Sequence, residues 1–219
     1  MSKSALADPP LVQVAQRAVR QLLQSGALIA GDSIDVSDLA SRLRLDRRSL
    51  AIGISNLEAD GLVVRTGEGK FTVRAISNEE ISEILTLRCG IESRVAERLA
   101  AIATEIDLAD LRDLVEEQRR AAQVDDKVLF MDHAAEFHCV LAERAKFSHA
   151  AEILRNWQDL QRVIGVNALH DRNAMLRVVR EHSELLDMIE THQPDEAREL
   201  LTRHLEATAG RLSVEIHVE

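Results

Sequence analysis

The chain has 219 residues, with 27 Lys/Arg against 37 Asp/Glu and a formal net charge of −10. An apolar fraction of 46% beside 29% charged residues suits an ordinary folded chain rather than a disordered one, and no run approaches the roughly 18 apolar residues of a membrane helix. Aromatics make up 2% with no Tyr, which argues against a binder that stacks single-stranded bases on aromatic rings.

The opening MSKSALADPPLVQ carries one Lys and no apolar stretch, so no secretory signal is expected, and residues 1–9 read as a disordered tail. Cys89 and Cys139 make no CxxC motif and no disulfide framework, which suits a cytoplasmic chain. Charge divides the sequence. Residues 1–76 hold 10 basic and 8 acidic residues, a net of +2, and the other 143 hold 17 and 29, a net of −12. An acidic body repels DNA, so any nucleic-acid contact belongs to the first third. Six of the nine glycines lie there too. Short elements with turns over 10–76 are therefore expected to precede long helices over 77–219.

Residues 10–25 predict a helix with Val12, Val14, Ala15, Val19, Leu22 and Leu23 on one face and Gly26 as its stop. SDLASRLRL predicts a short second helix with Leu39, Ala40 and Leu43 inward. Asp46 reads as the N-cap of a third helix, RRSLAIGISNLEADG, in which Leu50, Ile54 and Leu57 form the buried stripe and Gly61 the end. LVVR, the turn TGEG and KFTVR predict a two-stranded hairpin. Three helices followed by a two-stranded wing is the winged helix-turn-helix order, in which the third helix enters the major groove.

SGALIAGDSIDVSDLASRLRLDRRSLAIGISNLEADGLVVRTGEGKFTV resembles the DNA-binding domain of GntR-type bacterial repressors. The signposts are Ser25-Gly26, Gly31-Asp32, Leu39-Ala40, Arg47, Leu57-Glu58, Gly61-Leu62-Val63, Gly67 and Gly69. The resemblance implies that Arg47, Arg48 and Ser49 at the start of the recognition helix, and Gly67, Gly69 and Lys70 in the wing, contact double-stranded DNA. It also implies a homodimer on a palindromic operator. Ala30 stands where the family has Pro, Asp46 where a small residue is usual, and Ala51 and Ile52 where an Arg and an acid are usual. Arg42 and Arg44 add positive charge nearby, so backbone affinity with an altered base readout is expected.

From residue 77 the pattern is helix after helix. In SNEEISEILTLRCGIESRVAERLAAIA, Ile84, Leu87, Ile91, Val95 and Leu99 recur at helical spacing, and Ser77 or Asn78 supplies the cap. Segments 107–122, 126–145, 147–166, 171–191 and 195–217 bring the total to about six helices, a set that suits an antiparallel bundle. The expected fold is thus mainly α, a winged helix-turn-helix domain over 10–76 followed by an all-helical body over 77–219.

His182 and His204 each lie 11 residues from residue 193, in the break His192-Gln193-Pro194. An antiparallel hairpin hinged there sets both imidazoles level, and His138 in MDHAAEFHCVLAERA can supply a third. Three imidazoles suit a transition metal with open positions. Facing histidines also occur as buried, hydrogen-bonded core residues, and spacing leaves both readings open. The other five (His133, His149, His170, His192, His217) read as surface or capping residues.

LRCGIESRVAERLA, Phe137-His138 with Leu141-Ala142, Glu181-His182 and His204-Leu205 are together similar to the FCD effector-binding domain of the FadR branch of GntR regulators, over about residues 78–210. That resemblance implies a divalent metal (zinc or nickel) on three His and one Asp, and a small carboxylate effector bound beside it. His138, His182 and His204 match the three His, and Arg88 matches the family's Arg on the first long helix. The Asp is Ala134 here, and Asp132, about 120° round the helix from His138, cannot simply replace it. Either a metal relies on the bound anion, or the histidines and Arg88 hold a carboxylate directly. Arg88 is also placed for an i,i+4 pair with Glu92.

The reading with most support is a ligand-responsive DNA-binding regulator, in the sense of a repressor of a metabolic operon, cytoplasmic and with no membrane partner. A sensor or interaction protein with degenerate DNA readout is the alternative that Ala51 and Asp46 suggest. A metal-dependent helical enzyme has less behind it, since there is no HExxH and no Cys–His nucleophile pair.

Overall fold

Caps decide where the first elements begin. A computed structural model describes residues 9–214 and 216, so the tail expected over 1–9 lies outside the described residues except for Pro9, which instead opens α1 (Pro9–Gln24). Proline suits that position because the first helical N–H has no partner to lose. Then come β1 (Ser33–Asp35), α2 (Val36–Leu43), α3 (Arg47–Ala59), β2 (Val63–Gly67) and β3 (Lys70–Val73). The Asp35 carboxylate caps α2 by accepting from the Ser37 and Asp38 amides, and Arg44 ends that helix in the left-handed region at φ 55°. Asp46 caps α3, accepting from the Ser49 amide at 2.7 Å and the Ser49 hydroxyl at 2.9 Å.

Leu50, Ile54 and Leu57 of α3 are fully buried, as the apolar spacing predicts. On α1 the buried row is the i,i+4 pair Ala15 and Val19, and Val14, expected on the same face, is 52% exposed. It lies one residue from Ala15, about 100° round the helix, beyond so narrow a stripe. Gly53 marks the crossing of α1 and α3. A Cβ there would sit 2.9 Å from the Gln16 backbone N and 3.2 Å from the Val12 carbonyl O, so the two backbones approach where no side chain fits.

The sheet has three strands, ordered β1-β3-β2 and antiparallel throughout, not the two expected. The additional strand, β1, pairs Ser33 with Thr72 and Asp35 with Lys70, and its Ile34 is buried opposite Phe71. A bulge between Arg65 and Gly67 bends β2 into the tip, where Gly69 takes φ +65°.

Residues 77–219 cluster as a second compact unit, separate from residues 1–76. Its described helices are α4 (Asn78–Ile102), α5 (Glu105–Gln123), α6 (Lys127–Arg144), α7 (Ser148–Asn156), α8 (Gln158–Ala168), α9 (Arg172–Glu190) and α10 (Pro194–Leu212). The single helix expected over 147–166 is two, broken at Trp157, whose ψ of 0° leaves the helical path. The break lets α7 pack on α4 and α6 while α8 reaches α6 and α10. The last helix stops at Leu212, before the expected 217, because Ser213 turns left-handed at φ 57°.

Phe130, Phe137, Leu99, Leu111 and Leu141 are fully buried in this bundle. Ile84, Val95 and Leu99 of the expected α4 stripe are buried, but Leu87 is 45% exposed, and Leu85, Arg88, Cys89 and Glu92 share the buried face. A buried charged pair therefore takes the place of Leu87 beside the apolar stripe. No helix among the described residues is long and apolar enough to cross a membrane.

Candidate functional site

The α9–α10 hairpin sets the first two histidines. Thr191 caps α9, His192 turns at φ 55° and Pro194 starts α10, so equal spans on either side bring the His182 and His204 ring centroids to 4.9 Å. His138 on α6 completes the group, 5.2 Å from His182 and 5.6 Å from His204. All three are buried, and one ring nitrogen from each lies within 4.8 Å of the others. Phe137 stacks on His182 at 4.3 Å.

Each imidazole is held by an oxygen behind it. His182 Nδ1–H donates to Gln118 Oε1 at 2.8 Å, and the Gln118 amide is itself turned by a 3.5 Å bond to the His133 carbonyl. His204 Nδ1–H donates to Glu181 Oε2 at 2.6 Å. His138 Nδ1 lies 2.5 Å from Glu92 Oε2, in contact with the carboxylate but off the hydrogen-bond axis. With the Nδ1 atoms of His182 and His204 engaged, their Nε2 lone pairs remain. That of His182 is buried with no protein partner. Metal-binding imidazoles are oriented in the same way, through the ring nitrogen that does not bind.

This donor set fits a divalent transition metal. Two nitrogens on one ion are at most about 4.2 Å apart at 2.0–2.1 Å per bond, so sharing one takes on the order of an ångström of ring movement. Burial pushes His182 well below the ordinary imidazole range, with His204 and His138 adding to it. Burial also lowers His138, outweighing the Glu92 carboxylate. Neutral imidazoles offer lone pairs, as metal binding requires. Burial opposes the ionisation of Glu92, but Arg88 and His138 prevail and hold it at about 2. Burial likewise works against Glu181, and its bond to His204 lowers it on balance.

The histidines line a cavity of about 460 Å³, counted to its open side, whose other polar wall residues are Arg88, Gln161, Thr208 and Arg211. Arg88 does both things open to it in the sequence. Its Nε donates to Glu92 Oε1 at 2.6 Å, with both side chains buried, and it borders the cavity. Ala134 presents a methyl group to the cavity where the resemblance implies a carboxylate. Asp132 is no substitute, since its carboxylate lies 2.8 Å from Arg162 Nε on α8. Gly165 shapes the apolar side, because a Cβ there would overlap the Met131 thioether.

Nothing local in the sequence marks the roles of four residues of this site. Gln118 and Glu181 hold histidines 64 and 23 positions away, and Gln161 and Arg211 enter the wall only through packing of α8 and α10. Of the remaining histidines, His192 donates from Nδ1 to the Ala100 carbonyl at 2.8 Å, His170 Nε2 is 3.4 Å from the Arg211 carbonyl, His149 is solvent-exposed and His133 is half-buried. His217 lies outside the described residues.

In the first unit, Arg47 and Arg48 are exposed at the start of α3, and Arg42 and Arg44 are exposed around the end of α2. Ser49 is turned inward instead, 2% exposed, and its hydroxyl donates to Asp46. It completes the cap and has no surface to offer. Those Ser49 bonds lower the Asp46 carboxyl below its ordinary range. A Cβ built on Gly69 would be 4.0 Å from Arg47 Nη2, so the wing turn adjoins the α3 start, with Lys70 exposed beside it. Gly67 lies in the bulged end of β2. Arg65 faces elsewhere, bonded to Glu58 and Ser55 and lying 4.4 Å over the Phe71 ring.

Residues 83–207 match the FCD domain. The chain is 21% identical over 192 residues to the HTH-type transcriptional regulator YdhC of Bacillus subtilis, covering 85% of this chain and 84% of that protein. It is 22% identical over 201 residues to the HTH-type transcriptional repressor RspR of Escherichia coli, covering 90% and 86%. A GntR transcriptional regulator from Rhodococcus sp. RHA1 superimposes with a TM-score of 0.77 at 20% identity, over 95% of this chain and all of that one. With a winged helix-turn-helix order ahead of a helical body, the chain belongs to the FCD-domain branch of the GntR-type transcriptional regulators, a family of DNA-binding proteins and not of enzymes.

Proposed function

We propose that this regulator represses a metabolic operon as a cytoplasmic homodimer, paired through residues 77–219, and that a small carboxylate bound among His138, His182, His204 and Arg88 shifts its hold on a palindromic operator. The observation that carries the effector half is the buried, unpartnered Nε2 of His182 in a cavity with cationic walls. A buried lone pair without a partner is rare in folded proteins, and a metal or a ligand donor would satisfy it. Zinc or nickel on the three Nε2 atoms would supply a Lewis-acidic anchor for one carboxylate oxygen. With Ala134 in place of an anionic ligand, the chain's own donors there are all neutral, so the incoming anion would supply the balancing charge. Glu92, Gln118 and Glu181 hold the rings for that contact.

On the DNA side, Arg47 and Arg48 would enter the major groove with the start of α3, and Lys70 would meet phosphate from a wing shaped by Gly67 and Gly69. Ser49 is left out of this set because its hydroxyl is committed to Asp46.

Native mass spectrometry of the purified protein, paired with the His182→Ala variant, tests the site. The expected result is a dimer with one metal per protomer for the wild type and a dimer without metal for the variant. Full metal occupancy in His182→Ala would overturn the assignment.

A further inference from the structure

Two buried polar atoms, on residues of the cavity wall, serve neither the fold nor the histidine cluster. Gln161 on α8 is 2% exposed. Its Nε2 donates to the Leu154 carbonyl at 3.1 Å, which fixes the amide, and its Oε1 is buried without a partner. Arg211 on α10 donates from Nη2 to Thr208 Oγ1 at 2.9 Å, and its Nε is buried without a partner. Both residues line the same cavity as His182. Buried polar groups are almost always satisfied, and one that is not calls for an explanation.

The two cations of the wall differ. Arg88 is neutralised by Glu92 at 2.6 Å, whereas no carboxylate contact to Arg211 is found among the described residues, and burial lowers its pKa against the weaker pull of Glu181. Arg211 follows His204 by seven residues, within about 20° of the same helix face and roughly 10 Å farther along the axis. Its bond to Thr208, one turn nearer His204, draws the guanidinium back toward the histidines.

A ligand complementary to this wall needs an acceptor for Arg211, a donor for Gln161 Oε1 and an anionic head for the histidine end. We infer that the effector is a short hydroxydicarboxylate, with its second carboxylate on Arg211 and its hydroxyl donating to Gln161. This rests on the effector reading above and adds to it a second polar subsite, which sets specificity rather than anchoring.

Isothermal titration of the full chain, freed of unbound metal, with malate, succinate and lactate tests the inference. Succinate lacks the hydroxyl and lactate lacks the second carboxylate. Malate should bind at least tenfold tighter than either. Gln161→Leu should bring the malate-to-succinate ratio within threefold of unity, and Arg211→Leu should do the same to the malate-to-lactate ratio. Equal affinities for the three acids in the wild type overturn the inference without recourse to any variant, as do ratios that survive both substitutions. If the acids bind, show no malate preference, and lose affinity in His182→Ala, the effector site stands and only the second subsite falls. If none of them binds, or if His182→Ala binds them like the wild type, both fall.

Discussion

Replacing Glu92 by Gln removes a charge from a place without solvent. The side chain is fully buried, with one oxygen 2.6 Å from Arg88 Nε and the other 2.5 Å from His138 Nδ1. Burial alone would favour the neutral acid, but Arg88 and His138 hold the carboxyl at about 2, down from 4.5. At roughly 1.4 kcal/mol per pH unit, that drop corresponds to about 3 kcal/mol of stability. A second route gives the same order, since removing one partner of a buried ion pair leaves the other, Arg88, uncompensated, at about 3–5 kcal/mol. Glu92→Gln should therefore destabilise the helical unit by about 3 kcal/mol at pH 7. Arg112→Gln is the control: its pair with Glu190 is about half exposed on both sides, and its loss should amount to less than about 1 kcal/mol. Because the folded pKa is depressed, the Glu92 contribution is complete above the unfolded value of 4.5 and is lost as pH falls toward 2. Urea unfolding followed by helical circular dichroism between pH 7 and pH 3 should show a gap between wild type and variant that narrows below about pH 4.5. A gap under about 1 kcal/mol at pH 7, or one that does not change with pH, would refute this account of the buried pair.

Gly53→Ala sets two effects against each other in the first unit. Helix propensity favours alanine by roughly 1 kcal/mol, but the new Cβ meets the α1 backbone at 2.9 and 3.2 Å, and such overpacking costs about 1–3 kcal/mol. A net loss of about 1 kcal/mol in thermal melts is expected, and a stabilised variant would contradict the close approach of α1 and α3. Arg47→Ala and Arg48→Ala should each weaken binding to the DNA upstream of the protein's own gene. A lost base contact would cost about 1–3 kcal/mol, and a lost phosphate contact would lower the salt slope by about one. Titrations with neither change in either variant would remove α3 from the interface.

Elements set by local chemistry were legible in the sequence. Asp46 as a cap, Leu50, Ile54 and Leu57 as a buried row, and the equal arms about residue 193 are all written within a few turns of chain. What could not be read depends on partners far away. The three residues of β1 hold no alternation of their own and become a strand only through Lys70–Val73. On α4, a search for apolar spacing passes over Arg88 and Glu92 because they are charged, and so selects Leu87, which the structure exposes. His182 and His204 were visible as a spaced pair and His138 through the resemblance, but the atoms that orient the three were not. Gln118 reads as any surface amide until α5 packs beside α9. Ser49 shows the opposite case, a residue in the right place on the sequence whose hydroxyl the cap has already claimed.

The close fit of Met131 against Gly165 bears on how such a cavity can change what it admits over evolutionary time. The contact atoms are the flexible end of a methionine, a side chain that adapts to irregular space more readily than branched residues do. A methyl group at 165 would push that thioether aside, and Met131 also borders the cavity, so an apolar pair helps to set the space there apart from the polar wall. Drift at these two positions alters which molecules fit while the imidazoles, Arg88 and Arg211 keep their chemistry. Size selection and charge recognition are thus separately mutable, and a lineage can retune one without dismantling the other.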